Sequence, residues 1–190
     1  MPVTKHIAGL HDVELAALAT AGDRPAFGEL VRRHGSAVRG LLRRMGAEAS
    51  VADDLAQDAF LSAFESIAEF RGEGTFAGWV RRIAARLYVR RWRKDTRLES
   101  LDEDREEGVS GGEASAASRI DLDGALKTLS ATEQMCISLC YGAGLSHAEA
   151  AEALNAPLGT VKSHVKRGLD KLRVRLATAS DASNGRLEHG

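Results

Sequence analysis

Six of the eight residues from 160 to 167 carry hydroxyl, imidazole or cationic side chains: Thr160, Lys162, Ser163, His164, Lys166 and Arg167. Between and after them Val161, Val165 and Leu169 recur at helical spacing. A helix that buries those three turns Thr160, Lys162, Ser163, Lys166 and Arg167 outward and leaves His164 on the border. Hydroxyls can bond base edges or phosphates, while Lys and Arg add salt-sensitive phosphate contacts. Just upstream, Ser146-His147-Ala148-Glu149 is a capping-box pattern for a supporting helix, and Asn155-Ala156-Pro157 makes a turn. Together they predict a helix-turn-helix that reads the major groove of duplex DNA.

A second constellation lies in FRGEGTFAGWVRRIAARLYVRRWRK (70–94), which holds five of the chain's nine aromatic residues. Phe70, Phe76, Trp79, Tyr88 and Trp92 alternate with Arg71, Arg81, Arg82, Arg86, Arg90, Arg91, Arg93 and Lys94. Aromatic faces beside a cationic track suit unpaired bases, held by stacking and by phosphate contact. The Gly-rich loop before the helix would let backbone approach a splayed base.

The third is acidic. In VADDLAQDAFLSAF (51–64), Asp53, Asp54, Gln57 and Asp58 accompany Leu55 and Phe60, the latter read as an exposed aromatic. Acids repel DNA, so this face should dock a basic protein surface. The carboxylates lie on a convex helix without a supporting His or Glu constellation, so no catalysis, metal or cofactor is expected of them. Cys136 and Cys140, one helical turn apart, read as small core residues; that spacing shapes a disulfide poorly.

The elements that must position these groups are helical throughout. Asp12 can cap a first helix ending at the Ala21-Gly22-Asp23 turn, and Pro25 suits the first turn of a second. Phe27, Leu30, Val31, Val38, Leu41, Leu42 and Met45 stripe that second helix. A third is predicted over 51–68, with Leu55, Ala59, Phe60, Ala63, Phe64 and Ile67 inward, and a fourth from Phe76 to near Lys94, with Phe76, Val80, Ile83, Ala84 and Leu87 as its core stripe. Ser130-Ala131-Thr132-Glu133 opens a helix in the second half. No strand alternation is present, so the expected class is all-α. The expected organisation is a helical domain over 12–95, a flexible acidic linker over 96–120, a helix-turn-helix domain over 121–177 and a disordered tail over 178–190. As a coil the linker averages roughly 25–30 Å, and pulled taut it reaches about 85 Å.

The net charge of −1 hides alternating blocks. Residues 48–69 carry −6, 71–97 carry +7, 98–123 carry −7 and 158–176 carry +5. Two basic segments separated by acidic ones fit two nucleic-acid surfaces and a protein-docking face. No run of 18 apolar residues exists and the N-terminal segment lacks a signal-peptide stretch, so a cytoplasmic protein is expected.

AFGELVRRH (26–34), VADDLAQDAFLSAF (51–64), the aromatic–arginine segment (70–94) and LSATEQMCISLCYGAGLSHAEAAEALNAPLGTVKSHVKRGLDKL (129–172) resemble, in this order, the extracytoplasmic-function group of bacterial sigma-70-type sigma factors. The first three are similar to sigma region 2 and the last to region 4. The resemblance implies a factor that binds core RNA polymerase and directs promoter-specific initiation. By position, Asp53, Asp54, Leu55, Gln57, Asp58 and Phe60 would bind the clamp helices of the largest polymerase subunit. Arg71, Thr75, Phe76, Trp79, Arg82, Arg86 and Arg90 would hold the melted −10 element. Thr160, Lys162, Ser163, His164, Lys166 and Arg167 would read the −35 element, with region 4 beside the polymerase flap. An anti-sigma factor and a stress-response role are further implications. Many relatives carry Asn where this chain has Arg86. The rival reading is a stand-alone helix-turn-helix regulator, which would bind duplex DNA without polymerase.

Overall fold

A computed structural model describes residues 7–99 and 122–184, with side chains over 7–96 and 122–177. Residues 100–120 of the expected linker and 185–190 of the expected tail lie outside the described residues.

Four helices make the first half: α1 (Asp12–Thr20), α2 (Arg24–Arg44), α3 (Ala49–Glu65) and α4 (Phe76–Glu99). Asp12 does not cap α1. His11 takes that place, its backbone N–H donating to Glu14 Oε2 at 2.7 Å. The Asp12 carboxylate turns sideways instead, to Arg33 Nη1 at 3.1 Å and His34 Nε2 at 2.7 Å, and ties α1 to α2. Arg33 also donates to the carbonyls of Leu10 and Ala8. Asp23 caps α2 by accepting from the Ala26 N–H at 3.0 Å, with Pro25 in the first turn.

Helix α3 stops earlier than its apolar pattern suggests. Ser66 bonds back to the Ser62 carbonyl at 2.7 Å, and a 3₁₀ turn at Ile67–Glu69 swings Ile67 into the core. Leu15, Leu30, Val38, Leu42, Ala59, Phe76 and Val80 are buried between the four helices. Burying each large apolar side chain contributes about 1.5–3 kcal/mol, which offsets the entropy lost on ordering it.

The second half holds α5 (Leu122–Leu126), α6 (Ala131–Ile137), a π-helical turn (Ser138–Gly142), α7 (His147–Leu154) and α8 (Leu158–Asn184). Both capping boxes form. The Ser130 and Glu133 backbone N–H groups donate reciprocally to the partner side chains at 3.1 and 3.3 Å, and Ser146 and Glu149 do so at 2.8 and 3.2 Å. From Met135 to Leu139 every residue is buried. Helix α6 packs against α8, and the π turn packs against the end of α2 and against α7. Cys136 and Cys140 are free thiols, one buried and one half-buried. Burial and the neighbouring Cys140 push the Cys136 thiol up to about 11.

Two ends differ from expectation. Helix α4 continues past Lys94 to Glu99, and α8 continues past Thr178 to Asn184. In both, the chain runs on without Gly or Pro: Asp95 pairs with Arg91 at 3.7 Å in the first, and alanines recur in the second. Among the described residues there is no strand, and no helix is long and apolar enough to cross a membrane.

Candidate nucleic-acid interface

The helix-turn-helix is built by local chemistry. Asn155 ends α7 in the left-handed region, at φ 52°, a conformation an Asn side chain tolerates. Its N–H and that of Ala156 return to the carbonyls of Glu152 and Ala151. Pro157 then starts the next helical turn, its carbonyl accepting from the Thr160 and Val161 N–H groups. Val161 and Val165 are 1% and 3% exposed, which fixes the rotation of α8. Thr160, Lys162, Ser163, Lys166 and Arg167 stand in solvent and His164 is half-buried. The Ser163 hydroxyl donates to the Gly159 carbonyl at 2.8 Å, and Arg167 Nη2 lies 3.1 Å from His164 Nδ1.

Gly168 is a structural residue of this face that periodicity did not single out. A Cβ there would fall 2.5 Å from Ile137 Cδ1, so the glycine lets α8 lie close on α6. Its signal in the sequence was a lone Gly inside a helical pattern. Glu133 joins the same two helices. Its carboxylate is 4% exposed as a residue and takes Lys171 Nζ at 2.7 Å. Burial pushes the carboxyl up, but Lys171 and the Ser130 N–H outweigh it, leaving the group below its ordinary value.

The aromatic–arginine segment divides into core and surface. Phe76, expected among the DNA-facing residues, is 1% exposed. Its ring packs on Phe27, Phe70, Trp79 and His34 at centroid distances of 6.5, 5.6, 5.8 and 5.6 Å. It anchors the start of α4 and has no free face for a base. Trp79 is half-buried, 5.5 Å from Phe70. The Thr75 hydroxyl accepts from the Gly78 N–H at 3.0 Å and so caps α4. Arg71 and Thr75 flank an exposed loop in which Gly72 and Gly74 adopt φ of 75° and 90°. Only glycine takes these angles without strain, which lets the loop turn tightly ahead of α4. Arg82, Arg86 and Arg90 are exposed along one side of α4. Arg82, Arg86 and Arg90 thus reach the surface of α4, with Arg82 bonded to Gly144 and Glu149, while the aromatic residues between them mostly face inward.

On α3, Asp53, Asp54, Gln57 and Asp58 are exposed, and Asp53 lies 3.6 Å from Arg39. Leu55 and Phe60 are each 7% exposed. Phe60, which the helical spacing placed inward and the acidic-face reading placed outward, belongs to the core, because positions 52, 55, 56, 59, 60 and 63 form the buried stripe. The apolar residues that do face out are Leu61 and Phe64, at 63% and 37%. Phe64 was expected inward and Leu61 was overlooked. The signal was present: 57, 61 and 64 share the face that carries Gln57.

The comparisons agree with this geometry. Residues 30–98 match the family model described as sigma-70 region 2, and residues 125–174 match sigma-70 region 4. The chain is 36% identical to the ECF RNA polymerase sigma factor SigE of Mycolicibacterium smegmatis over 87% of this chain and 68% of that protein. It is 34% identical to ECF RNA polymerase sigma factor SigW of Bacillus subtilis over 82% and 91% of the two chains. Among solved structures, the sigma factor RpoE of Bartonella quintana in complex with the anti-sigma factor NepR superposes with a TM-score of 0.55 at 26% identity, over 80% of this chain and 96% of that one. CnrH in complex with the cytosolic domain of CnrY gives 0.50 at 28% identity, over 90% and 97%. With both regions present in order, and with relatives above 30% identity along most of its length, the chain belongs to the sigma-70 family of RNA polymerase sigma factors, in its ECF group.

Proposed function

We propose that this chain directs core RNA polymerase to promoters by presenting three separate surfaces. The exposed face of α3, with Asp53, Asp54, Gln57, Asp58, Leu61 and Phe64, docks the clamp helices of the largest polymerase subunit. The loop from Arg71 to Thr75 and the outer side of α4, with Trp79, Arg82, Arg86 and Arg90, hold the unpaired −10 strand. Thr160, Lys162, Ser163, His164, Lys166 and Arg167 read the −35 duplex. Leu55, Phe60 and Phe76 act by holding these helices in place.

Polymerase supplies the tether. Once α3 is docked, the second DNA contact becomes intramolecular, so two weak readers add up to a selective one. Trapping extruded bases offsets the few kcal/mol needed to unpair a short stretch. Guanidinium groups along α4 neutralise the exposed strand, and no covalent step is assigned to the chain. An anti-sigma factor is the proposed regulator, consistent with the complex with the anti-sigma factor NepR in which RpoE was solved.

The observation that carries this reading is the occurrence of regions 2 and 4 in a single chain, over 30–98 and 125–174. Purified protein mixed with core polymerase and a promoter library should yield specific transcripts. Asp58→Arg should abolish association with core polymerase while helical content stays unchanged. Duplex binding without any effect on polymerase would instead identify a stand-alone regulator.

A further inference from the structure

The loop ahead of α4 does not hold its own shape. Among the described residues, no hydrogen bond reaches Arg71, Gly72, Glu73 or Gly74. Two of these four are glycines, whose backbone changes conformation at little steric cost. A segment so weakly tied takes its shape from the surface it rests on.

That surface is the start of α1 and the middle of α2. Val13 Cγ1, on α1, lies 3.8 Å from where a Cβ on Gly72 would stand, and Val13 is 54% exposed beside the loop. At the two feet of the loop, Phe70 and Phe76 meet edge to face at 5.6 Å. The His34 ring, on α2, lies 5.6 Å from Phe76 on another side. His34 Nε2 is 2.7 Å from Asp12 Oδ2, and its side chain is only 17% exposed. Asp12 Oδ1 accepts from Arg33 Nη1 at 3.1 Å. Arg33 is fixed in turn by the Leu10 and Ala8 carbonyls and by Glu29 Oε1, each at 2.8 Å.

The placement of these bonds goes beyond what holding α1 requires. Leu15, Ala16 and Ala19 already bury α1 in the core. Among the described residues, the side-chain hydrogen bonds that join α1 and the turn before it to α2 fall between Ala8 and Asp12, next to the loop. They fix the two residues on which the loop rests, Val13 and His34.

We infer that α1 belongs to the −10 reading head: Asp12 and His34 are positioning residues that, with Val13, hold the Arg71–Thr75 loop in the shape an unpaired base requires. They act through the loop and not by touching DNA. A loop already in its bound shape loses less conformational entropy on binding, and the base that fits that shape gains most. The inference rests on the sigma reading given above.

The test uses the full chain with core polymerase, on duplex templates mismatched and randomised in sequence across the −10 segment. Sequencing the bound templates gives, at each position, the enrichment of the best base over the worst. Loss of folded protein lowers binding to every template alike and leaves that ratio unmoved. Asp12→Ala, His34→Ala and Val13→Ala should each lower the ratio by about threefold to tenfold. Asp12→Asn, whose Oδ1 can still accept from His34, should keep most of it. Association with core polymerase and −35 duplex binding should not change. Val13 is exposed, so Val13→Ala keeps the fold and gives a reading even where His34→Ala fails to fold. A ratio at the wild-type value in either Asp12→Ala or Val13→Ala overturns the inference and leaves the sigma reading intact. A wild type without base preference across the −10 segment also overturns it; if specific transcripts are missing as well, the sigma reading falls too.

Discussion

At the scale of single residues, side-chain type and side-chain address give different information. Phe76 and Leu61 are both apolar residues beside a functional surface, yet one is 1% and the other 63% exposed. Truncating Phe76 removes ring contacts to Phe27, Phe70, Trp79 and His34, so Phe76→Ala should cost about 3–5 kcal/mol in denaturant unfolding. Leu61→Ala should stay within about 0.5 kcal/mol and weaken association with core polymerase. On α8, Lys162, Lys166 and Arg167 stand in solvent, where they can meet phosphates. The double variant Lys166→Ala, Arg167→Ala should weaken −35 duplex binding. Its log–log salt slope should flatten by about 1.8, two phosphate contacts at roughly 0.9 each. A parallel shift without a change in slope would remove both residues from the phosphate contacts.

At the scale of elements, a charged pair joins α6 to α8 beside their apolar contact. Glu133 accepts Lys171 Nζ at 2.7 Å and serves the capping box of α6 at the same time. Its carboxyl lies below the ordinary value, so it is held more acidic in the folded chain than in the unfolded one. The stability it contributes is complete above the unfolded carboxylate value, about 4.3, and is lost as the pH falls through the folded one. Wild-type stability should therefore drop more steeply with acidification below that value than the stability of Glu133→Gln. Thermal unfolding followed by circular dichroism at a series of pH values checks the difference in slope. The two capping boxes and the Asn155 turn were legible in the sequence because each is a contact between residues a few positions apart. The π turn at Ser138–Gly142 was not, because it answers to packing on both sides.

At the scale of the whole molecule, a continuous buried cluster links the two halves, which should make the chain unfold in a single cooperative transition. Gly142 lies at that contact, where a Cβ would come within 2.6 Å of Leu41 Cδ1, so Gly142→Trp should split the transition in two in a calorimetric scan, as each half melts with its own core. A single unchanged transition would mean that the contact between the halves contributes little to stability. The sequence by itself determined the helical class, the order of the two readers and the alternation of charge, since periodicity, caps and composition are local properties of the chain. It also located the basic face of α8, because Val161 and Val165 settle that helix's rotation by spacing alone. Helical spacing already pointed Phe76 and Phe60 inward; tertiary structure decided that Leu61 and Phe64 face out and that Arg82 is engaged by Glu149. Those outcomes depend on which neighbours a helix meets, and such neighbours lie 67 residues apart in the case of Arg82 and Glu149, beyond the reach of any local pattern.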